Sequence, residues 1–242
     1  MQYKKARNLC APTLDPVAQH FRNFVEATDF PCVGAKSALN SGGLFFLRGR
    51  AITSAWNDVA LHQAIVRFAH HHGSNLNGFR SLAIIFDGPL HLSEKAFEKH
   101  LWRRLQSWTD KDTWLGYEHD ADVSSSPDSP EFSLSFGGHA FFAVGLHPRA
   151  SRRARRFTRP VIVLNLHGQF EKLRAEGRYE KLRKSILLRD KRLQGSINPM
   201  LARFGSSSEA PQYSGRKVGV DWECPYRRYD KKDITKEQYD DN

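Results

Sequence analysis

His147 stands at the end of an apolar, alternating stretch, directly before Pro148 and a segment with six arginines between Arg149 and Arg159. Imidazole is a common metal ligand, and guanidinium forks match carboxylates and phosphates. The block therefore suits either a nucleic-acid backbone or the acidic edge of a smaller group that His147 also touches. If a strand ends at His147, its alternation places Phe141, Ala143, Gly145 and His147 on one face. The small side chains at 143 and 145 predict an open flat space beside the imidazole, suited to a planar cofactor bound axially through a ring nitrogen. If "PRASRRARR" is helical, Arg149, Arg152, Arg153 and Arg156 fall on one face. There they would meet the two propionates of a haem, although six arginines are more than a haem needs. The plain alternatives are a histidine that caps a turn and a solvated basic face.

The charge supports a local reading. The net charge is +11, and residues 149–192 alone carry 15 Lys+Arg against 4 Asp+Glu. Residues 1–146 balance, with 14 of each sign. That block must face an anion, water or acids elsewhere in the fold. An RNP-like aromatic signature, a helix-turn-helix pattern and a zinc module are all missing, which disfavours nucleic acid as the partner. No apolar run approaches the length of a membrane span, and the N-terminus lacks the apolar core of a secretory signal. Three sparse cysteines, Cys10, Cys32 and Cys224, read as free thiols of a cytoplasmic protein. There is no CxxC, CxxCH or HExxH.

The elements that must position these residues follow from periodicity. "LDPVAQHFRNFVEAT" reads as a helix, "FPCVGAKSALNSGG" as a loop, and "SAWNDVALHQAIVRFAHHH" as a long helix capped by Ser54. "SLAIIFDG" and "PVIVLNL" read as strands, and "SEKAFEKHLWRRLQSW" as a helix after a serine cap. "FSLSFGGHAFFAVGL" predicts a hairpin turning at Gly137-Gly138. "GQFEKLR" and "RYEKLRKSILLRDKRL" read as basic helices broken at Gly177. Helices and antiparallel strands in irregular order predict a single α+β domain, a mostly antiparallel sheet with helices packed around it. That domain spans residues 1–229, and 230–242 reads as a flexible tail.

Four stretches carry a resemblance: "FPCVGAKSAL", "FGGHAFFAVGLHPRASRRARRF", "NLHGQFEKLRAEGRYEKLRKSILLRDKRLQGSINPMLARFG" and "SEAPQYSGRKV…W.CPY". In order and spacing they resemble the YqcI/YcgG family from about Phe30 to Tyr226, most densely from Phe136 to Arg216. The resemblance implies a haem b oxygenase, cytoplasmic, of the kind that N-hydroxylates guanidino amino acids in guanitoxin and D-cycloserine biosynthesis. It makes His147, in the "GLHP" motif, the implied axial ligand of the iron. Two positions depart from the family pattern: Leu166 stands in "NLHGQF" for a proline, and Pro211 in "SEAPQYSGR" for an arginine. The second leaves substrate identity less defined than cofactor identity.

What the resemblance implies can be set against the residues. The chain has no flavin, dinucleotide or iron–sulfur fingerprint, so electrons must come from an external reductase or donor, with dioxygen as co-substrate. An arginine-like substrate needs a carboxylate. Glu209 is the favoured group, catalytic and substrate-binding, with Tyr213 and Ser214 beside it. Arg216 is expected on a propionate or a substrate carboxylate, alongside Arg149, Arg152, Arg153 and Arg156 on the cofactor. His139 and His167 stay open as second ligands or distal residues. Cys32 and Cys224 read as small buried thiols. A haem sensor or carrier without turnover, and a basic nucleic-acid-binding protein, remain as alternatives.

Overall fold

The computed structural model describes residues 15–74, 77–200 and 205–229. Helix α1 (Pro16–Glu26) begins on Asp15, whose carboxylate accepts the Val17 amide at 2.9 Å, with Pro16 in the first turn where no N–H is needed. Then come α2 (Val33–Asn40), β1 (Leu44–Ala51), α3 (Asp58–His72), β2 (Ser81–Gly88) and α4 (Glu94–Trp114). The hairpin of β3 (Leu134–Phe136) and β4 (His139–Leu146) turns at Gly137 and Gly138, both at positive φ. β5 (Val161–Leu166), α5 (Gly168–Ala175) and α6 (Tyr179–Gln194) complete the order, the last two separated at Gly177 with φ +67°.

One five-stranded sheet has the order β1-β2-β5-β4-β3. Only β1 and β2 run parallel, and the other three pairings are antiparallel. The parallel pair needs a crossover, which α3 provides. The fold is therefore a single α+β domain, mostly antiparallel, as expected. Among the described residues no helix is long and apolar enough to cross a membrane.

Strand alternation divides the core in two. Leu82, Ile84 and Phe86 of β2, Phe141 and Ala143 of β4, and Ile162 and Leu164 of β5 face α3 and α4. Their chain neighbours Ala83, Ile85, Leu146, Val161 and Val163 face the other way, toward α1 and α2. On the first side, Phe97, Leu101, Trp102, Leu105 and Trp108 of α4 cover the sheet.

Four expectations need correction. The "FPCVGAKSALN" segment is not all loop: Cys32 caps α2, its sulfur accepting the Ala35 amide at 3.4 Å. Ser54 does not cap α3, since its hydroxyl accepts the Trp56 amide and Asn57 holds the cap position. β1, an edge strand whose alternation is interrupted by Arg48 and Gly49, has a weak period-2 signal and was not expected. The arginine run is not a helix: a single 3-10 turn, Arg153–Arg155, lies between extended residues. The tail 230–242 and Cys10 lie outside the described residues.

Candidate active site

His147 follows β4 and shares a face with Phe141, Ala143 and Gly145, as alternation requires, but the space beside it is filled. A Cβ on Gly145 would stand 2.5 Å from Leu101 Cδ1 and 2.7 Å from Phe97 Cε1. The Phe97 ring stacks on the imidazole at 4.3 Å with an interplanar angle of 19°. The small residues at 143 and 145 thus admit the side chains of α4, not a cofactor. Burial pushes the His147 pKa down to about 4, so the ring is neutral, and its Nδ1 has no partner among the described residues.

The expected arginine face does not exist either. Arg149 donates to the His91 carbonyl, Arg153 to that of Leu193, and Arg156 to that of Ala150. Arg152 is buried and pairs with Asp190 while donating to the Ser196 carbonyl at 2.8 Å. Arg216 makes a forked pair with Glu98 of α4, at 3.1 and 2.6 Å. Glu98 also accepts the Ser214 hydroxyl at 2.7 Å and the Trp222 indole at 3.2 Å. Tyr213 is fully buried on that same side, stacked against Trp102. Tyr213, Ser214 and Arg216 therefore fasten the C-terminal segment to α4, and of the three Tyr213 also comes near enough to Glu209 to feel its charge, its ring lying edge-on to Phe142 of the sheet at 5.0 Å.

Glu209 looks the other way. With Gln212 it borders a cavity of about 260 Å³ between the second face of the sheet and α2 and α6. Phe142, Val144 and Val163 form an apolar floor, and Leu182, Ile186 and Leu187 of α6 stand opposite. Two polar groups line it. One is Cys32, Arg152, Arg155 and Asp190, whose charges act on one another. The other is Glu209, Arg174 and His167.

Glu209 is buried, and its carboxylate meets no hydrogen-bond donor among the described residues. Desolvation raises its pKa to about 7, against the pull of Arg174. His167 enters on β5's continuation into α5, with both ring nitrogens engaged: Nδ1 with Ser133 Oγ at 3.1 Å and Nε2 with Glu171 at 2.8 Å. His139 lies elsewhere, its ring 6.3 Å from that of His70. Cys224 packs beside the α4 core, its thiol pushed up to about 12 by burial.

Of the residues expected in the site, the cavity gathers Glu209 and Arg152, together with His167, open as a second ligand or distal residue, and Cys32, expected only as a small buried thiol. Sequence reasoning missed Arg155, Asn165 and the leucine face of α6. A signal for part of this exists in "NLH", because Asn165 and His167, two apart at the end of a strand, point the same way.

The structure is a single α+β domain with a cavity of about 260 Å³ between its sheet and α6. The chain belongs to the YqcI/YcgG family, whose family model matches residues 21–227. No curated protein matches it, and no solved structure does.

Proposed function

We propose that the chain is a haem-dependent oxygenase that N-hydroxylates the guanidino group of L-arginine, or of a close arginine-like amino acid, in specialised-metabolite biosynthesis. The observation that supports this best is Glu209: a buried carboxyl with no described donor, bordering a cavity, is matched by the planar fork of a guanidinium. Resemblance to the guanidino N-hydroxylases within the family supplies the class of chemistry. The arginine run weighs against a nucleic-acid partner, because its guanidinium groups are bonded to the chain's own carbonyls and acids.

Beside His147 a macrocycle does not fit, since Phe97 and Leu101 occupy that face. The donor chemistry of the cavity does fit. Cys32 presents a sulfur to it, and Arg152, Arg155, Arg174 and Arg183 border it as partners for propionates. His167 has both nitrogens engaged, which leaves Cys32 as the residue that would hold iron. Burial raises the Cys32 pKa, while the Ala35 and Gly34 amides and the charge of Arg155 lower it and would favour a bound thiolate. The space, about 260 Å³, lies just below the usual range of ligand pockets, about 300–1,000 Å³.

When bound, haem would supply dioxygen activation, with electrons from an external reductase. The chain's own residues would do the positioning. Glu209 would lose its proton as the guanidinium enters and hold the fork in one plane. The Phe142 and Val144 floor would keep water from the guanidino nitrogen.

The test combines spectra and mass spectrometry. Protein loaded with haemin should show a Soret band that His147→Ala leaves in place and Cys32→Ser shifts. With a reductase and labelled dioxygen, L-arginine should gain one labelled oxygen. A haem that cycles with reductant while no guanidino compound gains oxygen overturns the oxygenase reading and favours a haem sensor or carrier.

A further inference from the structure

Arg155 is a cavity-lining cation that the sequence did not single out. It lies in the 3-10 turn Arg153–Arg155 that follows β4. Its NH1 donates to the Gly145 carbonyl at 3.1 Å and its NH2 to the Gln212 carbonyl at 3.2 Å. No carboxylate forms an ion pair with it among the described residues. The nearby Asp190 is engaged by Arg152 and by the Asn198 amide at 2.9 Å. A guanidinium has five N–H donors, and two main-chain carbonyls leave three of them. Burial pushes its pKa down to about 10, the mark of a cation held out of water, although at neutral pH it stays charged.

The surroundings of Arg155 are built to hold it still. Gly215, at φ +81°, approaches so closely that a Cβ there would stand 3.2 Å from Arg155 Cγ. The His147 amide donates to the Arg155 carbonyl at 3.0 Å, and the Gly145 amide to the Tyr213 carbonyl at 2.6 Å. The end of β4 and the "QYSG" segment therefore grip the arginine from both sides. Gln212, 3% exposed and also lining the cavity, has an amide nitrogen with no acceptor among the described residues. The same region thus offers a fixed guanidinium with donors to spare and an unpartnered amide, while the nearby Asp190 is taken up by Arg152 and the Asn198 amide. Arg155 is half-buried, and a cation partly withdrawn from water with donors to spare is stabilised by an anion bound beside it.

We propose that Arg155, with Gln212 beside it, is the carboxylate anchor of the cavity. The inference rests on the cavity being the ligand site, as in the proposed function, and deepens it by assigning the anion end. The carboxylate has two possible sources, a substrate such as an amino acid or the propionate of a macrocycle. Fork geometry favours a planar carboxylate bound through two oxygens.

The experiment uses the full chain and three probe pairs in calorimetric titrations: hexanoate and hexanol, L-arginine and agmatine, haemin and its dimethyl ester. In the native protein at least one carboxylate should bind about tenfold or more tightly than its partner. Arg155→Met should erase that preference, and Arg155→Lys should restore part of it. Loss of the arginine–agmatine preference assigns the anchor to substrate, and loss of the haemin–ester preference assigns it to cofactor. If Arg155→Met fails to fold, the native protein and Gln212→Leu carry the test. The inference is overturned if the native protein shows no carboxylate preference in any pair, or if folded Arg155→Met or Gln212→Leu keeps it unchanged. Carboxylate selectivity without oxygen transfer to arginine would leave the anchor standing and remove only the hydroxylase reading.

Discussion

The two faces of the sheet are built from alternate residues of the same strands, yet one is closed and the other holds open space. On the α4 face Phe97 and Leu101 reach down to the main chain at Gly145, and aromatic rings fill the remainder. Its buried acids are paired: Asp58 with Arg104 at 2.7 Å through one of its two oxygens, Asp112 with His62 at 2.9 Å, and Glu98 with three side chains of the C-terminal segment. On the cavity face Glu209, Gln212 and Arg155 keep unused hydrogen-bonding capacity. Buried polar atoms without a partner among the described residues occur on both sides, Trp102 Nε1, Trp108 Nε1 and Tyr213 Oη among them on the α4 face, so the two faces differ in open volume and not in polar satisfaction. One face is filled by the side chains of α4, and the other keeps a cavity of about 260 Å³.

The largest expected effect tests the packing contrast. Leu101→Ala should cost about 2–5 kcal/mol in a denaturant titration, because a fully buried side chain leaves a cavity. Leu187→Ala, on the partly exposed wall of the open face, should cost roughly 1 kcal/mol or less. Equal losses at the two positions would break the comparison.

Glu98→Gln should cost roughly 2–3 kcal/mol, since its charge anchors Arg216, Ser214 and Trp222. The loss should appear first as proteolysis within residues 214–227. Gly145→Ala should cost about 1–3 kcal/mol by overpacking against Leu101 and Phe97. Gly34→Ala, across the sheet, meets only Phe79 at ordinary contact distance and should stay within about 0.5 kcal/mol, the change expected for a helical site with space.

Glu209 gives a pH-dependent contrast. Its pKa rises on folding, from 4.5 to about 7. The folded state then holds the proton longer than the unfolded chain, so its contribution is most favourable below pH 4.5. That contribution is lost as pH rises through 7. Glu209→Gln should therefore be more stable than the native protein above pH 7, by about 1–2 kcal/mol, with no difference near pH 4. His147 works in the opposite sense. Its folded pKa is depressed to about 4, so the stability it contributes is present above pH 6.5 and fades as pH falls toward 4. Thermal melts of His147→Gln and native protein between pH 7 and 4 should converge at the acid end. A constant gap across that range would contradict a neutral buried ring.

Much of the fold was legible because its signals are local. The hairpin at Gly137-Gly138, the Ser93 cap of α4, strands β2 and β5 and the break at Gly177 each depend on a few neighbouring residues. Where local signals were weak, the reading failed: α2 is capped by a cysteine, and β1 is an edge strand with a charged residue and a glycine inside it.

The site was legible only in part. Sequence alone determined that His147 shares a face with Ala143 and Gly145, that the basic excess is confined to one block, and that Glu209 is set in a polar loop. It did not determine what fills the space over Gly145, because a small residue admits a cofactor or a neighbouring helix equally well. The approach of Phe97 and Leu101, more than forty residues earlier in the chain, decided that. Nor did helical spacing of the arginines decide their fate, since carbonyls at Gly145, Ala150 and Gln212 offered partners that an isolated segment lacks. The cavity itself joins residues from Phe21 to Gln212, and only tertiary packing places Cys32, Arg155 and Glu209 around one space. Propensity and alternation act over a few residues, whereas the filling of a face is set by the volumes of side chains that meet from distant parts of the chain.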